Sequence, residues 1–149
     1  MSRRLRTHAT FRSSAFNTTE PEECFINPDN YGDDLARWMM RELRSRGVEV
    51  REELQEDHGW YFTFRSGGVE YDFVVGSRDQ DEWLGWIERR VGFVASLLGG
   101  RARGIEVEAA LEIDAVLSSS ELIRDVRWHL EEDFMAGREG LGRTKPNAV

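Results

Sequence analysis

The feature that most constrains this chain is a change of hydrophobic period at Gly47. Ahead of it, across residues 33–46, Leu35, Trp38, Met39 and Leu43 recur at steps of three and four, which gathers them on one face of a helix. Asp33 and Asp34 stand at the positive end of that helix, with Arg44 and Arg46 at its negative end. Gly47 then occupies the position where a left-handed residue closes the last turn. Behind Gly47 the pattern shortens to two. Residues 48–54, 60–65, 69–75 and 82–89 read as four successive strands, with Gly67 and Gly68 supplying a tight hairpin turn and "GSRDQD" another. In the fourth strand Trp83, Gly85 and Ile87 share one side and Leu84, Trp86 and Glu88 the other. A helical reading of 83–98 stands beside it, because "FVASLLGG" is helix-like and closes with glycines.

Residues 4–17 form a first strand and 17–32 a loop rich in Pro, Asn, Asp and Gly. Residues 105–117 form a second amphipathic helix with Val107, Ala110, Leu111, Ile113 and Val116 or Leu117 inward. "SSSELIR" turns the chain into a last strand, 125–130, which carries Trp128. From Met135 onward "MAGREGLGRTKPNAV" lacks apolar periodicity and reads as a disordered C-terminal tail, 135–149. The expectation is one α+β domain over 1–134, an antiparallel sheet of about five to six strands with both helices on one face.

A chain of 149 residues buries about two thirds of its unfolded surface, enough for a core without metals or disulfides. The single cysteine, Cys24, excludes an internal disulfide and points to a reducing compartment. No apolar run nears the roughly 20 residues of a membrane span, and the basic start "MSRRLRTHATFRSS" has no apolar stretch behind it. The expected setting is cytoplasmic. Twenty-eight acids against twenty bases leave a net charge of −8, which repels nucleic-acid phosphates and suits a partner with a basic surface. All bases but Lys145 are arginines, which fits carboxylate recognition and, more simply, a coding bias.

Glu56, Asp57 and His58 precede Gly59 and Trp60 in "EDHGW". Neighbours in a strand point to opposite faces, so Asp57 and His58 do not grip one ion together, and no metal-ligand spacing surrounds them. Asp57 closing a turn ahead of Trp60 is the simpler reading. Cys24 lies in "EPEECF", where Glu22 and Glu23 blunt a thiolate. No G-x-S-x-G elbow, phosphate loop or Ca²⁺ loop is present, so neither a metal nor a cofactor is expected. Trp83 and Trp86 are an odd number of residues apart, so one faces away from the helices, near Tyr61 or Tyr71. Such an aromatic patch rimmed by acids marks a protein partner, unless Arg65 and Arg89 cover the rings.

The leading functional expectation is a small acidic, non-enzymatic protein-binding domain, an immunity- or antitoxin-like inhibitor of a basic partner. Its contacts are Glu56, Asp57, Asp79, Asp81, Glu82 and Trp86. The alternative is a small-ligand or hydrolytic domain using Asp57, His58 and His129, which must lie within hydrogen-bond reach of one another. A third is a structural or regulatory module tethered by the tail.

The segments "FINPDNYGDDLARWMMREL", "EDHGWYFTF", "VVGSRDQDEWLGWIE" and "DVRWH" together resemble a group of small bacterial proteins of unestablished function. They share a helix led by Gly-x-Asp, a Glu-Asp-x-Gly-Trp turn and a Trp-bearing strand ending in Glu. The resemblance spans residues 25–129, and His58 stands where an aromatic is expected. It implies a free-standing α+β domain and carries over no catalytic residues.

Overall fold

A computed structural model describes residues 5–16, 31–56, 59–90 and 104–147, with the backbone alone for 52–56. Its strands are β1 (His8–Arg12), β2 (Val50–Glu56), β3 (Gly59–Ser66), β4 (Val69–Asp79), β5 (Glu82–Arg89) and β6 (Arg124–His129). Its helices are α1 (Asp33–Ser45), α2 (Val107–Ser119) and the short α3 (Glu131–Met135), followed by a 3₁₀ turn at Glu139–Leu141. The six strands form one sheet in the order β2-β3-β4-β5-β1-β6, every pairing antiparallel. The fold is the expected single α+β domain.

α1 forms for the reasons its sequence states. Leu35, Met39 and Leu43 are fully buried, each contributing about 1.5–3 kcal/mol of apolar burial. Gly47 takes φ of 85°, and two bonds close the helix end: Gly47 N–H to Arg44 C=O and Val48 N–H to Leu43 C=O, each 3.0 Å. That pairing is the Schellman motif. The β3–β4 hairpin turns on Gly67 and Gly68, with Ser66 opposite Val69. β4 runs on to Asp79, past the point where Gly76, Ser77 and Arg78 suggested a turn, because its backbone continues to pair with β5 through a bulge between Ser77 and Asp79. Residues 82–89 are a strand, not the start of a helix; residues 91–103 lie outside the described residues, as do 17–30 with Cys24.

α1 and α2 cover one face of the sheet. Between them and the strands lie Phe11, Phe62, Phe64, Tyr71, Phe73, Trp83 and Trp128 with the helix residues Leu35, Met39, Leu43, Ile113 and Leu117, all at or below 2% exposure. Asp114 on α2 is buried there too, and accepts the Trp128 indole N–H at 2.9 Å and the Ser118 hydroxyl at 3.0 Å. These bonds meet the need of a carboxylate taken out of water.

The stretch from Met135, expected to be disordered, follows a defined course. Arg143 pairs its backbone with Trp128 on the free edge of β6, Lys145 reaches Asp114 at 2.9 Å, and Arg6 donates to the carbonyls of Pro146 and Asn147. Backbone pairing and ionic contacts hold it. Those leave no apolar period, which is why the sequence reads as a tail.

Candidate functional site

Two places on the molecule gather chemistry. The first is one end of the sheet. In the meander β2–β5 alternate turns project from the same end, so Glu56 and Gly59 lie at the same end of the sheet as the β4–β5 turn at residues 80–81, which extends beyond them. α1 begins at the same end: Gly32 lies against the Val75 carbonyl and the Trp60 ring. Segments 31–33, 59–60 and 75–77, drawn from three of the quoted motifs, therefore meet in space. The end collects Asp33, Asp34, Glu56, Asp79, Asp81, Glu82 and, at the start of β6, Asp125.

Arginines already claim part of this set. Arg12 donates to Asp81 at 2.9 Å and to Glu82 at 2.5 Å, and Arg124 reaches the other Asp81 oxygen at 2.6 Å. Arg37 holds one oxygen of buried Asp33 at 3.0 Å, while its other oxygen has no partner. Asp79 is exposed and accepts the Gln80 N–H at 2.8 Å. The Glu56 side chain, Asp57 and His58 lie outside the described residues.

The second place is the sheet face away from α1 and α2. Register puts Tyr61, Val74, Trp86, His8 and His129 in one row across β3, β4, β5, β1 and β6. Trp86 is the tryptophan turned from the helices, as the alternation requires, and Trp83 is the one in the core. Its cover is neither Arg65, which pairs with Glu70 and Glu49, nor Arg89, which donates to the Gly104 carbonyl. The His8 ring stacks on Trp86, with centroids 5.8 Å apart and planes at 14°, and the indole N–H donates to Glu88 at 3.1 Å. Tyr71 faces the core, where its hydroxyl accepts the Glu106 N–H at 3.3 Å.

His129 sits directly opposite His8, and both are almost wholly buried. Phe134 of α3 roofs the pair, 5.5 Å from His8 and 5.7 Å from His129 by ring centroids. The Arg78 guanidinium lies 5.5 Å from the Phe134 centroid and binds both oxygens of Glu139 at 2.8 Å. His8 Nδ1 meets the Thr7 hydroxyl at 3.1 Å; His129 Nε2 meets the Thr10 hydroxyl at 2.8 Å, and its Nδ1 is buried without a partner. Burial, then the nearby His129, push His8 down to about 4. Burial also lowers His129, opposed by Glu139 and reinforced by Arg78, Arg127 and Arg6. Beside the pair, Thr10, Arg12, Arg78, Glu82, Asp125 and Glu139 line an open cavity of about 320 Å³.

In the alternative, ligand-binding reading His129 lies within reach of Asp57 and His58, which are outside the described residues. The residues flanking those two, Glu56 and Gly59, belong to β2 and β3, and β3 is four strand spacings, roughly 19 Å, from β6. The histidine that His129 meets is His8, whose place beside β6 no local pattern announces. Among the described residues no group of three or more His, Cys, Asp or Glu could hold a metal ion, and no helix is long and apolar enough to cross a membrane. No family model, curated protein or solved structure matches this chain.

Proposed function

We propose that the protein is a small acidic binding domain for a basic protein, in the manner of an immunity or antitoxin-like inhibitor, and that it engages its partner with the turn-bearing end of the sheet. The observation that supports this reading is the common end of β2 and the β4–β5 hairpin, where the backbone of Glu56 and the residues Asp79, Asp81 and Glu82 lie at the same end of the sheet. Among the described side chains of the set, Asp79 is the exposed charge. Asp81 and Glu82 are held by Arg12 and Arg124, so they shape the surface and offer less charge to a partner. Trp86, half covered by His8, contributes to the sheet face rather than to this end. An acidic end of this kind competes for the cationic groups with which an enzyme of nucleic acid grips phosphate.

The test is affinity capture of the full chain from its producing cells at low and high salt. A protein of high isoelectric point is expected at low salt and lost at high salt, where exposed charge pairs are screened. The double substitution Glu56→Arg and Asp79→Arg should weaken its retention at least tenfold. Retention unchanged by that substitution removes the acidic end as the binding surface.

A further inference from the structure

We propose that residues 131–147 form a latch over the outer sheet face, released when the His8–His129 pair takes up protons. The segment runs from one side of the sheet to the other around β6. α3 lays Phe134 on both imidazoles, and Gly142 passes so close to His129 that a Cβ there would come within 2.8 Å of Nδ1. Arg143 then pairs along the β6 edge, and Lys145 ties the end of the segment to Asp114 on α2. Its other anchors are the Arg78–Glu139 fork and the bonds from Arg6 to the carbonyls of Pro146 and Asn147.

Closed, this arrangement disfavours a proton on either imidazole. A proton on His8 would stand under Phe134, between Trp86 and His129, with the Thr7 hydroxyl as its hydrogen-bond neighbour, and burial and the neighbouring His129 both oppose it. A proton on His129 would face Arg78, Arg127 and Arg6, with Glu139 alone in its favour, and that carboxylate already serves Arg78. Lifting the segment returns both rings to water and lets Arg78 move from the site. Opening is therefore coupled to proton uptake, and it uncovers Phe134, the two imidazoles and the β6 edge together.

The direction follows from linkage. His8 ordinarily titrates near 6.5 and is held near 4 in the closed state, so at pH 5.0 its protonation favours the open form by about 25-fold relative to pH 7.5. The experiment is amide hydrogen exchange on the full chain at the two pH values, corrected for intrinsic rates. Peptides within 136–147 are expected to lose about that much protection at pH 5.0 and, at both pH values, to exchange through an opening of lower free energy than β3–β4 peptides. His8→Phe should remove most of the change. Protection in 136–147 that is the same at both pH values, or that equals the protection of β3–β4 at each pH, overturns the latch. Should His8→Phe fail to fold, ring-proton titration of the unaltered chain, with His58 assigned through His58→Asn, decides. Midpoints well below 6.5 for His8 and His129, coinciding with the loss of protection, support it; midpoints near 6.5 overturn it.

Discussion

Single residues on the core face show how little slack the sheet leaves. Gly85 on β5 carries the Phe73 ring directly above its Cα, where a Cβ would stand 2.2 Å from Phe73 Cζ. Phe73 is fully buried against Phe62 and has nowhere to retreat. Gly85→Ala is therefore expected to cost about 1–3 kcal/mol, seen as a lower urea midpoint with an unchanged slope. The sequence places Gly85 on the side of Trp83 and Ile87, and that side is buried as the alternation demands. It does not say that a phenylalanine from the next strand needs the missing side chain. Trp128 is similar: its type marks it as core, but its bond to Asp114 on α2 depends on how the helix crosses β6. The polar members of the core, Asp114 and the two histidines, are the residues that reading by type handles worst, because their burial rests on partners supplied from elsewhere.

At the scale of elements, α1 and the β3–β4 hairpin were legible because each is specified by neighbours within a few residues: an apolar stripe, a capping glycine, a two-glycine turn. The segment after Phe134 was not. Its contacts reach Arg6, Arg78, Asp114 and Trp128, all distant in sequence, and its own composition is polar. Ending the chain after Phe134 should thus do more than shorten it. It uncovers the edge of β6, leaves Arg78 without Glu139 and takes Lys145 from a carboxylate that is 4% exposed. The expected loss is about 2–4 kcal/mol, or on the order of 10 °C in thermal midpoint. A truncated chain that melts with the full one would show that these contacts contribute nothing to stability.

For the molecule as a whole, the histidine pair sets a dependence of stability on pH. With His8 near 6.5 when unfolded and about 4 when folded, the unfolded chain binds the proton across that window and the folded chain does not. Stability is then fully present above pH 6.5 and falls as pH drops towards 4, by on the order of 3 kcal/mol from His8, with His129 acting in the same direction. Urea midpoints at pH 7.5, 6 and 5 should decline in that order, and His8→Phe should flatten the decline. None of this can be read along the chain, since Thr10 and His129 bond across 119 positions. Local periods determined the α+β class, the meander and the stripe of α1, because a helix face or a hairpin turn is an interaction between near neighbours. Tertiary structure alone decided that β1 enters between β5 and β6, that His8 lies beneath Phe134, and that the acidic turns share an end with the start of α1. Those outcomes rest on strand pairing between distant segments, where the core and the edge of β6, not the local pattern, select the partner.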